Sequence, residues 1–116
     1  MSDEDSLSDE DAKLLVLARG ARARIGAAEG AAVRDGTGRT YSGATVALRT
    51  LGISALALAV AQAAAGGATA LEAAVVVTAS DDVGAADLAA VRGLAGAGVP
   101  VHLAGPDAVV RLTRSS

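Results

Sequence analysis

Residues 28–45, with the sequence AEGAAVRDGTGRTYSGAT, carry two short runs of small and apolar residues on either side of a polar turn. The turn, residues 35–38, combines aspartate with glycine, which is typical of the tight connection between antiparallel strands. The stretch therefore predicts a hairpin with strands at 28–34 and 39–45. A phosphate-binding loop is not indicated, because no Gly-Lys-Ser/Thr sequence is present and no helix follows the glycines directly.

Three helical patterns surround this hairpin. The first covers residues 9–20, begins after the capping residue Ser8 with acidic side chains in its first turn, and is expected to end at Gly20. The second, at 53–65, is apolar on every side, which predicts burial within a domain or between subunits. Its small residues at every fourth position indicate either core filling or a helix-packing interface. The third covers residues 85–95.

Three more strands are predicted at 72–79, 99–103 and 108–112, and the first of them is apolar enough to be covered on both faces. Helices that alternate with strands in this order predict an α/β fold, a three-layer α-β-α sandwich around a mixed sheet of about five strands. We expect a disordered acidic tail at residues 1–7, followed by one domain at 8–116.

The composition excludes several kinds of site. The chain has no Cys, which rules out disulfides, thiolate zinc sites and a cysteine nucleophile, and its single His rules out a multi-histidine metal site. That residue, His102, lies inside an apolar strand pattern and is expected to be structural. Without Phe or Trp the chain cannot form aromatic stacking platforms for single-stranded nucleic acid.

Charge is distributed unevenly around a formal net value of -3, with six of the 13 acidic residues in the first eleven positions. The arginines between residues 19 and 49 are scattered rather than clustered, so nucleic-acid binding is not expected, although an accessory role on RNA or DNA stays open as a third alternative. The preference for Arg over Lys, with abundant Ala and Gly, is typical of a GC-rich bacterial genome and predicts a cytoplasmic bacterial protein.

An uncharged stretch at residues 50–71 has the length of a membrane span but not its content. Most of it is Ala, Gly, Thr and Ser, and Gly66 and Gly67 interrupt it, so no membrane association is expected. The acidic first residues also lack the basic and apolar regions of a secretory signal.

The element order and four segments resemble the cytidine deaminase family over residues 13–112. In that family a Val-Gly-Ala-Ala strand precedes an acidic-Gly turn, then a Tyr-x-Gly-Cys-Asn strand, then a helix that opens with Cys-Ala-Glu or His-Ala-Glu. The corresponding segments here are EGAAV at 29–33, the turn at 35–38, YSGAT at 41–45 and SAL at 54–56. The resemblance implies the three-layer fold and assembly as a dimer or tetramer.

The resemblance also implies which residues stand at the family's functional positions. Ser54 stands at the first zinc ligand and Leu56 at the proton-shuttling Glu, while Gly84 and Asp87 lie near the two Cys ligands of the Pro-Cys-x-x-Cys motif. The sugar-binding Asn and Glu correspond to about Thr45 and Ala47. Because a tetrahedral zinc site needs three good protein ligands, we expect no metal, no other cofactor, no catalytic residue and no enzymatic activity.

These observations predict a catalytically inactive, cytidine-deaminase-like protein that acts as a non-enzymatic homo-oligomeric binding or structural module, with an unidentified protein partner left open. The alternative is a protein that binds a nucleoside or nucleotide without turning it over. Leu56 separates the two, since a filled pocket buries this side chain and an open one leaves it partly exposed.

Overall fold

The computed structural model describes residues 7–116, so the predicted acidic tail lies, except for Leu7, outside the described residues. Within 7–116 the chain forms three helices and seven strands. In chain order they are α1 (Asp9–Ile25), β1 (Gly30–Asp35), β2 (Thr40–Ala44), β3 (Val46–Ala47), β4 (Gly52–Ile53), α2 (Ala55–Ala65), β5 (Leu71–Val77), α3 (Ala85–Ala95), β6 (Pro100–Ala104) and β7 (Val110–Ser115).

Five strands form one mixed sheet in the order β2-β1-β5-β6-β7. Only the β5–β6 pair is parallel, with α3 as its crossover, and the other neighbours are antiparallel. The predicted α/β architecture with a five-stranded mixed sheet is therefore confirmed. The short strands β3 and β4 form a separate hairpin between β2 and α2, and this hairpin was not predicted.

Alternating side chains of the strands build a core on each face of the sheet. Ala31 and Val33 pack with α2 and α3 on one face, whereas Ala32 packs with α1 on the other. The buried residues of α1 are Leu14, Ala18 and Ala21. Small side chains dominate both cores, so the helices lie close to the sheet.

Helix α1 extends to Ile25, beyond its predicted end at Gly20. Gly20 has no neighbouring atom near its Cβ position, so it neither contacts the sheet nor breaks the helix. The next turn continues because Ala21 is buried against the strands. The helix ends at Gly26, whose φ of 62° is the left-handed conformation that glycine adopts readily.

The last strand also lies later than predicted, because residues 105–109 form a turn before β7 begins at Val110. The Gly105 amide donates to the Val109 carbonyl, and the Ala108 amide donates back to Gly105. No helix within residues 7–116 combines the length and hydropathy that a bilayer crossing requires.

Candidate functional site

The first turns of α2 and α3 meet at one edge of the α2–α3 layer. Ser54 is the N-cap of α2, and its Oγ accepts a hydrogen bond from the Ala57 amide at 3.1 Å. The same hydroxyl donates to Oδ1 of Asp87, in the first turn of α3, at 2.5 Å. Two residues that are 33 positions apart in the sequence thus form a direct contact, and both are partly buried.

Leu56 lies two residues after Ser54, in the first turn of α2, and is 0% exposed, within the core that α2 and α3 share with the sheet. The side chain at the position of the family's acid therefore fills space, as the filled-pocket interpretation requires. Gly84 is the N-cap of α3 and forms no side-chain capping bond. It brings no ligand atom to the site.

Thr45 and Ala47 follow β2 and do not present free polar groups. The Thr45 Oγ1 accepts from the Glu29 amide at 3.0 Å, and the Thr45 amide donates to the Glu29 carbonyl at 3.1 Å. These bonds close the open end of the β1–β2 hairpin. Ala47 is exposed on β3 and has no polar side chain to offer a ligand.

The residues at the predicted ligand positions do not fit a zinc ion. The Ser54 hydroxyl is engaged with Ala57 and Asp87, Gly84 has no side chain, and Asp87 alone supplies one carboxylate. Across the part of the chain that the structure describes, no three His, Cys, Asp or Glu side chains are grouped closely enough to hold a metal. The chemistry available here is that of a hydroxyl and a carboxylate.

His102 lies on the face of the sheet that α1 covers, opposite to α2 and α3. Its Nε2 lies 3.0 Å from Asp11 Oδ2 on α1, and its Nδ1 lies 2.8 Å from Thr113 Oγ1 on β7. Its neighbours in β6, Val101 and Leu103, point into the α2–α3 core instead. His102 therefore cannot act together with Ser54, and its bonded ring agrees with a structural histidine.

Two arginines on β7 hold the loop that leads to α3, a role that sequence reasoning missed. Arg111 donates from Nη2 to the carbonyls of Thr78 and Ser80 at 2.7 and 2.8 Å. Arg114 donates to Asp82 through Nε and Nη2 at 2.8 and 3.0 Å, and these bonds lower the pKa of the Asp82 carboxyl. The sequence gives no signal for these contacts, because each arginine lies 31 to 33 residues from the loop residues that it binds.

An open groove of about 600 Å³ lies at the other end of α2, between the predicted turn at 35–38 and residues 66–70. Asp35 on its floor accepts bonds from the Thr37 amide, the Thr37 hydroxyl, the Arg39 amide and the Tyr41 hydroxyl. Although desolvation acts in the opposite direction, these bonds lower the pKa of Asp35. Because the Asp35 carboxylate accepts all four bonds from residues 37–41, it stabilises the turn. This supports the interpretation of residues 35–38 as a hairpin turn rather than a phosphate-binding loop.

Comparison with known proteins gives one family and one fold. The family model described as cytidine deaminase-like matches residues 7–108. The solved structure of cytidine deaminase from Burkholderia pseudomallei superposes with a TM-score of 0.80 at 21% identity, covering 94% of this chain and 93% of that one. The cytidine deaminase from Mycobacterium leprae gives 0.70 at 20% identity, covering 90% and 93%. No curated protein matches the chain.

At 20% and 21% identity this likeness establishes the fold. The prediction that the chain is not an enzyme is contradicted by it, because the two solved structures described above are named cytidine deaminases. That prediction was wrong because it equated the absence of the family's zinc ligands at a few matched positions with the absence of any catalysis. Ser54 and Asp87 are the polar side chains that the two helix starts bring together.

Proposed function

The chain belongs to the cytidine deaminase-like family, and on that premise we propose that it works as a homo-oligomeric binding or structural module. The contact surface is the outer face of α2 together with the tip of the β3–β4 hairpin. The outer face consists of Ala57, Ala61, Ala64 and Ala65. The observation that carries the proposal is the complete absence of charge on this face.

Helix α2 has the sequence ALALAVAQAAA, without a charged residue in either its first or its last turn. Five of its side chains are buried against the sheet and α3: Ala55, Leu56, Ala59, Val60 and Ala63. The residues of the outer face lie on the opposite side of the helix, and Ala61, Ala64 and Ala65 are exposed. A surface helix normally carries charged residues on its solvent face, so this helix is typical of one covered by another subunit.

The hairpin tip carries larger apolar side chains that are also exposed. Leu48 and Leu51 are 66% and 54% exposed, and they precede α2 by a few residues. The Leu48 amide donates to the Leu51 carbonyl at 2.8 Å, so the tip has a defined shape. Fully burying one exposed leucine contributes about 1.5–3 kcal/mol, which makes the two leucines suitable anchors of a contact between identical chains.

Sedimentation equilibrium and light scattering on the purified chain test the proposal. We expect a dimer or tetramer for the wild type and a smaller species for Ala61→Glu, because a charge at the centre of the outer face cannot be buried without a partner. Ala23→Glu is the matched control, since Ala23 is also an exposed helical alanine but lies on α1, across the sheet. A wild type that is monomeric at all concentrations contradicts the proposal.

The alternative, binding of a nucleoside or nucleotide, has a direct test. A thermal-shift panel of nucleosides and nucleotides detects any ligand that binds only the folded chain. The fully buried Leu56 favours a flat response at the α2–α3 site. The location in a bacterial cytoplasm is proposed from the composition, chiefly the preference for Arg over Lys together with abundant Ala and Gly.

A further inference from the structure

We infer that the Ser54–Asp87 hydrogen bond is a metal-independent clasp that fixes the start of α2 to the start of α3. It occupies the place where the resemblance to cytidine deaminases implies zinc ligands, and the donors here do not fit that metal. The clasp holds the α2–α3 layer together within one chain, so it is independent of the oligomeric state proposed above.

Ser54 and Asp87 each have a polar group with hydrogen-bonding capacity that its own helix leaves free. The Ser54 Oγ accepts from the Ala57 amide as an N-cap, and its hydroxyl proton is left to donate across to Asp87. Asp87 forms no salt bridge with a cation among residues 7–116, and the N-cap of its helix, Gly84, offers no side chain. The carboxylate therefore combines the field of the α3 N-terminus with one strong hydrogen bond.

The chemistry of the bond suits a clasp. A hydroxyl that donates to a carboxylate forms a charge-assisted bond, and such bonds are short, about 2.5–2.7 Å, and stronger than those between neutral groups. The observed 2.5 Å between Oγ and Oδ1 lies in that range. Partial burial of both residues reduces competition from water. Leu56 and Val83 lie in the apolar core that adjoins these helix starts, which leaves the clasp as a polar contact at the rim of a filled layer.

A double-mutant cycle tests the clasp. Asp87→Ala is expected to raise the unfolding equilibrium constant about tenfold or more in the wild-type background, as is usual for the loss of a hydrogen bond to a charged group. In the Ser54→Ala background the same change is expected to have an effect several-fold smaller, because its partner is already missing. Urea unfolding at one fixed protein concentration measures both. Equal effects in the two backgrounds would overturn the inference.

Two controls separate the clasp from simple capping. Ser8 caps α1 by accepting from the Asp11 amide at 3.1 Å and forms no second side-chain bond within the described residues, so Ser8→Ala measures the loss of a cap alone. The loss of stability in Ser54→Ala should exceed the loss in Ser8→Ala. Ser54→Thr keeps the hydroxyl and should stay close to the wild type. If the double variant does not fold, the single variants Ser54→Thr and Asp87→Ala test the clasp by their stabilities in urea. An Asp87→Ala variant as stable as the wild type would contradict the clasp.

Metal dependence supplies a readout that does not involve activity. Because the clasp needs no ion, we expect the melting temperature of the wild type to be the same with added Zn²⁺ and with a chelator. A rise of several degrees with Zn²⁺ would show a bound metal at the helix starts or elsewhere and would overturn the metal-independent clasp.

Discussion

At the scale of single residues, Leu56 decides whether the α2–α3 layer is filled or open. The side chain is fully buried, so Leu56→Ala is expected to cost about 2–5 kcal/mol of unfolding free energy, as core truncations do. Leu56→Glu should cost more, because it buries a carboxylate without a partner. Leu17→Ala is the matched control, since that leucine is 38% exposed and lies on α1, outside the proposed contact surface. Urea melts measure all three, and a loss below about 1 kcal/mol in both Leu56 variants would contradict a filled layer.

Several residue roles could be predicted, but their contacts could not. The hairpin turn, the capping residue Ser8 and the structural His102 all carry local signals in the sequence. The N-cap role of Ser54 was missed, because the predicted helix at 53–65 included this residue. The contact between Ser54 and Asp87 has no such signal, because it depends on how two helices pack side by side. The resemblance placed both residues at one site, and the structure adds the bond between them.

At the scale of elements, the observed ends of a helix agree with the predicted ones where local sequence signals determine them. Helix α3 occupies the predicted 85–95, whereas α1 passes Gly20 because tertiary packing of Ala21 outweighs the weak helix preference of glycine. The β3–β4 hairpin was missed because two strands of two residues each are too short to show a periodic pattern. The groove beside Asp35 was missed because it arises from two separate segments that approach each other in the fold.

The approach of α1 to the sheet depends on Gly30. A Cβ atom at this position would lie 2.0 Å from the Ala18 carbonyl oxygen and 2.8 Å from the Arg22 Cβ. Gly30→Ala must therefore push α1 away from β1, and we expect a loss of about 1–3 kcal/mol or more. Gly20→Ala is the control, since nothing lies near that position and alanine favours a helix by about 1 kcal/mol. Chemical denaturation of the two variants should show effects of opposite sign.

The first turn of α1 is also fixed by charge. Asp11 accepts from Arg34 Nη2 at 2.9 Å and lies 3.0 Å from His102 Nε2, with side-chain exposures of 14%, 12% and 13% for the three residues. Desolvation would raise the pKa of Asp11, but the bonds and charges of Arg34 and His102 outweigh it and lower that pKa from 3.8. A lowered pKa means that the folded state favours the ionised carboxylate.

The pH dependence of stability follows from this direction. The stabilisation from Asp11 is fully present above the unfolded pKa of 3.8 and is lost as the pH falls through the lower value of the folded state. We therefore expect Asp11→Asn to destabilise the chain near neutral pH and to differ progressively less from the wild type below pH 3.8. Asp9→Asn removes a charge from the same helix turn, but Asp9 forms no ion pair within residues 7–116. Urea melts over a pH series that gave parallel curves for Asp11→Asn and the wild type would contradict this role.

At the scale of the whole molecule, the proposed association must appear in the thermodynamics of unfolding. The chain is small at 11.2 kDa and its two cores consist mainly of Ala and Val, so a subunit contact would supply a sizeable part of its stability. When folding is coupled to association, the melting temperature rises with protein concentration. We expect the wild-type melting temperature to increase by several degrees over a hundredfold range of concentration. Ala61→Glu should melt at one temperature throughout that range, and Ala23→Glu should follow the wild type. A melting temperature of the wild type that is independent of concentration, together with an Ala61→Glu variant of equal stability, would show that the outer face of α2 is exposed to water in the folded protein.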